Sequence, residues 1–525
     1  MTKRITKVCI PTAGSGKRLK YLTKEINKSL IDINYKPAIS YIIEKFPSNS
    51  EFIIPLGHKG EIVKNFLKIA YPKKKFIFVK VKNFDGIGSG LGLSLLKAKK
   101  FLKTPFIFVS CDTLFEGSIP NLKKNWVGYS STKNNGQYRG IEFNNRNEII
   151  KFHKKSFKSS KFKKTYIGMA GIKDTKEFWA IMEGNKSQSI KIGEVFGLMG
   201  LKNKIYSKKF IWNDIGNLNS LTITRNKFRS KSNLSILDKN EEKIWFVNNQ
   251  VIKYFRNNKI SKNRVRRSRI LGKFVPKITK NKNNLYAYKF FDGKILSEVN
   301  SLPVFKKLLN QIWNFHNLKK KKLDKSYRLK CFNFYKRKTD MRVKLFYKRF
   351  KIKDQSNIIN NKNIPKLKNI LEKINWKLIS EGFISNFHGD LHFENIIYSK
   401  KRKTFKFLDW RQDFEGDIKY GDAYYDYAKI MHGLLVSHQM VNRNKYSIKW
   451  KGRKVHYSIS REKIYKKYIK YFIDWLQKKN INVKKIYTIT GLIYLNIAGL
   501  HHYPYSLFLY AIGKKTIYEN LGNEN

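Results

Sequence analysis

Cysteine is nearly absent. Three residues, Cys9, Cys111 and Cys331, lie far apart, with no CxxC pair and no metal-ligand spacing. That excludes a disulfide framework and a cysteine zinc site, and a reducing compartment is expected. Long apolar runs are missing too. No stretch of about 18 apolar residues occurs, and no apolar core follows the N-terminus, so neither a membrane helix nor a signal peptide is expected, and the location implied is cytoplasmic. Acidic residues are scarce: 37 Asp and Glu stand against 110 Lys and Arg, a net charge of +73. Such a charge raises nucleic-acid binding as a reading. No RNP, helix-turn-helix or zinc-finger pattern supports it. The lysines are spread along the chain beside abundant Asn, Ile, Phe and Tyr, as compositional drift would leave them.

The 525 residues exceed one ordinary domain, and 41% of them are apolar, enough for two or three packed cores. Up to about residue 110, strand-like runs ("ITKVCIP", "EFIIPLG", "KFIFVKV", "PFIFVSCD") alternate with helical ones, such as "KGEIVKNFLKIA" with Ile62, Val63, Phe66, Leu67 and Ile69 on one face. Alternation of this kind predicts a parallel α/β sheet with helices on both faces and ligands at the strand C-termini. A polar, basic segment, "TRNKFRSKSNLSILDKN", marks a junction near 230. Beyond it, "EKIWFV-NN-QVIKYF" reads as a hairpin turning at Asn248-Asn249. From about 300 the pattern is mostly helical, with a break around 383–412.

The first chemistry-bearing stretch is "PTAGSGKRL" after a strand. Gly14 and Gly16 let the backbone turn and aim N–H groups at an anion, with Lys17 and Arg18 adding charge. It is neither a Walker A loop nor a GxGxxG fingerprint. Lys28 follows in "NKSL", a second Gly-rich turn in "DGIGSGLG", Asp112 in "FVSCD" and Asp214 in "FIWNDIGN". Two aspartates with Lys and Arg around a phosphate cradle suit Mg2+-dependent displacement at phosphorus. In this order the motifs resemble the nucleotidyltransferases that make NDP-sugars and related activated head groups. The resemblance implies a Rossmann-like α/β domain with a mixed sheet over residues 1–229. It implies attack by a phosphate monoester on the α-phosphorus of an NTP (CTP, UTP, GTP or dTTP), with release of pyrophosphate. On this resemblance Gly14, Gly16 and Arg18 hold the triphosphate, Lys28 lies by the reacting phosphates, Gly88 and Ser89 lie by the base and ribose, and Asp112 and Asp214 ligate Mg2+. Lys17 departs from the small hydroxyl residue frequent there.

The second stretch is "FHGDLHFENII". Asp390 and Asn395 are spaced as in a kinase catalytic loop, where one segment places a base and a metal ligand. Asp409 in "FKFLDWR" and Asp422 and Asp426 in "YGDAYYDYAKIM" complete the series. It resembles the aminoglycoside phosphotransferase/choline kinase family, which implies an α+β two-lobed, protein-kinase-like domain over 230–525. The resemblance makes Asp390 the base, Asn395 and Asp409 Mg2+ ligands, Asp422 and Asp426 structural, and Lys253 the lysine that meets the ATP phosphates. Two departures stand out: "FVNNQ" has no glycine-rich lid, and "SKNRVRRSRIL" has no Glu to pair with Lys253. His501 and His502 in "GLHHYPYSLFLY" read as core packing rather than an aromatic acceptor pocket.

Together these readings imply a bifunctional enzyme. The kinase-like part phosphorylates a small hydroxyl acceptor with ATP, and the transferase activates the resulting ester. A sugar phosphate fits "WNDIGN" best; a choline kinase joined to a phosphocholine cytidylyltransferase is the alternative, and a non-catalytic kinase-like module is another.

Overall fold

The computed structural model describes residues 5–132, 137–154, 164–229 and 241–521. The chain divides into two compact units, Met1–Asn258 with Thr279–Phe290, and Lys259–Ile278 with Phe291–Asn525.

The first unit is built on seven strands: β1 (Lys7–Cys9), β2 (Glu51–Leu56), β3 (Lys75–Lys80), β4 (Phe106–Val109), β5 (Asn125–Ser131), β6 (Lys164–Ile172) and β7 (Ile205–Lys209). Their order is β7-β5-β6-β4-β1-β2-β3. β1 runs parallel to β2 and β4, and β2 to β3, as the alternation predicts. β6 is antiparallel to both β4 and β5, so the sheet is mixed and Rossmann-like rather than fully parallel. A parallel neighbour needs a long crossover, usually a helix. The described residues between β5 and β6 carry instead a strand pair, Ile141–Phe143 with Ile149–Phe152.

Strand alternation splits the core in two. Val8, Phe52, Ile54 and Ile107 face one side with Val63 and Phe66 of the helix Gly60–Ala70. Cys9, Ile53, Phe106 and Phe108 face the other with Leu95, Phe178 and Trp179. The helix Leu91–Ala98 approaches the backbone of residues 189–190 so closely that a Cβ on Gly92 would lie 1.9 Å from the Ser189 oxygen.

The same unit holds a four-stranded sheet of β8 (Glu242–Val247), β9 (Gln250–Phe255), β10 (Ile278–Lys282) and β11 (Leu285–Lys289), in the order β8-β9-β11-β10. β8 and β9 form the expected hairpin. Asn248 and Asn249 both take positive φ, 51° and 56°, as a two-residue turn of that hand requires. Its inner face joins the first core. Trp245 is fully buried with its ring 5.2 Å from Phe66, and Asn248 donates through Nδ2 to the Ala70 oxygen at 2.9 Å. The junction expected near 230 falls at residues 230–240, outside the described residues.

The second unit is mostly helical, as the pattern past 300 predicts, with helices Leu302–Asn317, Lys338–Phe350, Ala423–Leu435, Lys463–Lys478, Val483–Ala498 and Tyr505–Leu521. A three-stranded sheet, Lys294–Ile295 with Ile396–Ser399 and Thr404–Phe407, fills the expected break. Besides the short hairpin of Asn357–Ile359 with Lys362–Ile364, a longer one was not anticipated: Tyr446–Lys451 with Lys454–Ile459, turning at Gly452 with φ 54°. Its period-two exposure is the missed signal. Among the described residues no helix is long and apolar enough to cross a membrane.

Because Trp245 closes the core above Phe66, Trp245→Ala should destabilise the first unit by about 3–5 kcal/mol. Amide hydrogen exchange across Gly60–Ala70 would report it. Unchanged protection there would show that the small sheet contributes nothing to that core.

Candidate active sites

Strand pairing explains how residues a hundred apart in sequence meet in the first unit. β4 ends just before Asp112. The strand Ile211–Asp214 pairs antiparallel with Thr113–Glu116, which sets Asp214 opposite Thr113. The Ile215 N–H then donates to the Asp112 oxygen at 3.3 Å. Lys28 is delivered by a separate loop. Buried Asn27 pins it, donating through Nδ2 to the oxygens of Thr12 and His58, both at 2.7 Å, while its Oδ1 accepts from the Ser29 N–H. Lys28 Nζ lies 3.0 Å from Asp112 Oδ2. Burial alone would raise the Asp112 carboxyl, but the Lys28 ammonium and, more weakly, Arg18 hold it at about 2. Asp214 is shifted the other way. Burial and then the Asp112 charge push it up, although Tyr138 donates its hydroxyl to Oδ2 at 2.9 Å.

Gly216 shows how closely the charged groups converge. A Cβ there would lie 3.1 Å from Asp214 Oδ1, 3.2 Å from Asp112 Oδ2 and 3.4 Å from Arg18 Nη2. Both carboxylates and the guanidinium therefore border one small gap, and the carboxylate pair fits a hard divalent cation such as Mg2+. Gly16, at φ 68°, sits against this group, since its Cβ would lie 3.2 Å from Lys28 Cβ; Gly14 has open space around it. Gly88 and Ser89 lie on the exposed turn after β3, where the Ser89 hydroxyl donates to the Gly86 oxygen at 2.6 Å. Lys17 is turned outward and pairs with Asp85 at 2.7 Å. Asn27, Tyr138 and Gly216 were not among the residues singled out by sequence, although Gly216 and Asn27 lie inside quoted motifs.

The 387–395 loop of the second unit is organised from beneath by Asp426, which is fully buried. Asp426 accepts the N–H of His388 through Oδ2 and of Gly389 through Oδ1, both at 2.7 Å. Asp422 caps its helix through the Tyr424 N–H at 3.1 Å and takes the Tyr335 hydroxyl at 2.7 Å. The N–H of Asp390 donates to His388 Nδ1 at 3.2 Å, and burial holds His388 neutral, down to about 4. Asp390 Oδ1 meets Lys429 Nζ at 2.8 Å. Enclosure would raise this carboxyl, but Lys429 and then His392 hold it well below its ordinary value. Asn395 donates through Nδ2 to the Asp390 backbone oxygen at 2.9 Å and to Asp390 Oδ2 at 3.2 Å, so its Oδ1 is the atom that could hold a cation. Lys429, the ion-pair partner of Asp390, is not among the residues singled out by sequence, though its place one helical turn past Asp426 was legible.

Asp409 is not beside Asn395 in any hydrogen bond seen among the described residues; its Oδ1 lies 3.4 Å from Arg264 Nη1. The helix without a glutamate thus brings arginines. Buried Arg267 donates to the backbone oxygens of Phe387 and of Ile418, the latter at 3.1 Å. Lys253 is buried at 2% exposure on β9, in the first unit. His501 sits edge-on to core residue Tyr505 at 5.1 Å, and His502 is exposed.

No family model matches the chain. Its N-terminal part is similar to curated nucleotidyltransferases. It is 29% identical over 250 residues to the bifunctional protein GlmU of Methanococcus maripaludis, covering 46% of this chain and 58% of that protein. It is 27% identical over 152 residues to D-glycero-alpha-D-manno-heptose 1-phosphate guanylyltransferase of Campylobacter jejuni, covering 28% of this chain and 66% of that one. The chain thus spans about half to two thirds of the length of the curated relatives it matches. A solved UDP-glucose pyrophosphorylase with UDP-glucose aligns at 20% identity and TM-score 0.37, over 43% of this chain and 98% of its own.

Filling the gap should disable it. Gly216→Ala is expected to weaken Mn2+ binding, read by electron paramagnetic resonance, by at least ~10-fold; full retention would mean the carboxylates do not share a cation. The Asp112–Lys28 pair should also shape acid stability. A depressed carboxylate contributes fully above its unfolded value of about 3.9. That contribution is lost as pH falls toward about 2. Lys28→Met should flatten this part of the pH–stability curve.

Proposed function

We propose that the chain is a bifunctional transferase. Residues 1–229 move a nucleotidyl group from an NTP to a sugar phosphate, and residues 230–525 form a kinase-like domain that phosphorylates a small hydroxyl acceptor with ATP. The observation that carries the first activity is the convergence of Asp112, Asp214, Lys28 and Arg18 on the gap at Gly216. The similarity of this part of the chain to nucleotidyltransferases supports it.

In that reaction an oxygen of the phosphate monoester forms a bond to the NTP α-phosphorus, and the α–β bridging bond breaks to release pyrophosphate. Asp112 and Asp214 would hold Mg2+, whose charge offsets that of the phosphates. Lys28 and Arg18 neutralise the oxygens that gain charge as the pyrophosphate leaves. The turn at Gly14 and Gly16 presents backbone N–H groups to the triphosphate, and Gly88 and Ser89 lie toward the base and ribose. Asn27 acts by positioning Lys28.

In the second reaction Asp390 takes the acceptor hydroxyl proton as its oxygen bonds to the γ-phosphorus of ATP and ADP departs. Asp390 is kept ionised for this by Lys429, while Asn395 through Oδ1 and Asp409 would hold the cation on the phosphates. The Arg264–Asp409 contact favours a second reading, in which the kinase-like part is non-catalytic, since Arg264 offsets the charge of Asp409 that a cation would otherwise meet.

Incubation of the full chain with each NTP, ATP and a panel of sugar phosphates, free sugars and choline tests both readings. Pyrophosphate release should fall at least ~100-fold in Asp112→Ala, and ADP formation should fall comparably in Asp390→Ala. Pyrophosphate release that survives Asp112→Ala rejects the first assignment. ADP formation absent from the wild type with every acceptor supports the non-catalytic reading. A response to CTP with choline phosphate alone would move the substrate from sugar to amino alcohol.

A further inference from the structure

The second unit holds a cluster, next to the proposed base Asp390, in which neither proposed reaction places a metal ion. His392, Glu394 and His438 each offer a ligand atom, and these atoms all lie within 4.8 Å of one another. Among the described residues it is the single set of three metal-type side chains so gathered. We infer that His392, Glu394 and His438 form a binding site for one divalent transition-metal ion of the zinc class.

The donor set decides the class. Two imidazoles and one carboxylate suit zinc and its neighbours, whereas Mg2+ and Ca2+ favour all-oxygen shells. Three protein ligands would leave a fourth position open, as in sites where zinc holds an exchangeable group. The distances are within reach. Two atoms each ~2.1 Å from a shared ion stand ~3.4 Å apart at the tetrahedral angle, so a rotation of roughly an ångström closes the cluster. Part of it is already closed: His392 Nδ1 is 2.9 Å from Glu394 Oε2, and the two histidine rings are 5.1 Å apart.

The surroundings support a ligand role for His392. Metal-bound histidines commonly turn their second nitrogen to a carboxylate, which orients the ring. Here Nδ1 faces Glu394, while Nε2 accepts from Asn395 Nδ2 at 3.0 Å, which fixes the ring, with Asp390 Oδ2 beyond at 3.6 Å. The loop that carries His392 and Glu394 is anchored by Asp426, so both ligands start from a fixed backbone.

A separate observation points to a missing partner nearby. His432 is 4% exposed, and neither ring nitrogen has a hydrogen-bond partner. Buried unpaired polar atoms are costly and uncommon. His432 sits at the end of the helix Ala423–Leu435, and the next residue, Gly433, would bring a Cβ within 3.8 Å of His392 Cβ.

This inference does not depend on phosphotransfer, and its test uses no nucleotide. The full chain, stripped with a chelator, is titrated with Co2+ and the visible spectrum recorded, then challenged with Zn2+. One equivalent of Co2+ should produce the intense bands of a low-coordinate nitrogen-containing site, and Zn2+ should abolish them. Glu394→Gln and His438→Gln should each weaken Co2+ binding at least ~10-fold, while Asp112→Asn should leave the bands unchanged. Thermal unfolding without metal checks that the variants are folded, and either one suffices if the other is not. Absence of bands at one equivalent overturns the site, as does their persistence in a folded variant. In that case the three side chains form only an internal ion-pair cluster.

Discussion

A carboxylate removed from water must be met by fixed donors, and Asp426 is the anchor from which the second unit's loop is hung. Its two oxygens are taken by the backbone N–H groups of His388 and Gly389, with His316 Nε2 3.2 Å from Oδ2. These partners are backbone or core, so nothing arriving from solvent can replace them. Asp390, Asp112 and Asp214 are different. They meet the ends of side chains, Lys429, Lys28 and Tyr138, which can yield to a phosphate or a cation, although Asp214 Oδ1 also accepts the backbone N–H of Gly216 at 3.1 Å. The distinction separates acidic groups that build the fold from those free to take part in chemistry. It rests on donor type rather than on burial alone.

Much of this was legible from residue order. The four strands up to Val109 follow their apolar runs, and the Asn-Asn turn appears where two strand-like runs meet. The grouping of Lys28 with Asp112, and of Asp390 with Asn395, matches the motifs that singled them out. Long-range register was not legible. Nothing local tells that Asp214 pairs opposite Thr113, or that β6 reverses direction, because both depend on which strands become neighbours. Nor does a pattern reveal side chains that act through others. Asn27, Lys429 and Gly216 matter for where they are held, which only the folded chain shows.

The helix Asn258–Leu271 carries arginines where a glutamate was looked for. The lack of a glutamate reads as a defect when a lysine elsewhere is assumed to need it. The helix serves another purpose. Arg264 meets Asp409, and Arg267 secures the carbonyl just before His388. Both arginines are withdrawn from water, at 8% and 0% exposure, and Arg267 meets backbone oxygens through both Nη1 and Nη2. Part of the chain's large positive charge is thus committed inside the second unit.

The small sheet on the first unit has a consequence for synthesis. Phe66 and its neighbours are made early, yet the strands that cover them end only at Lys289. At a translation rate of 5–20 residues per second, the roughly 60 residues past position 229 take about 3–12 s to emerge. Through that interval the nascent chain carries an uncovered apolar face on an otherwise folded sheet. That face is where a ribosome-associated chaperone would find this polypeptide.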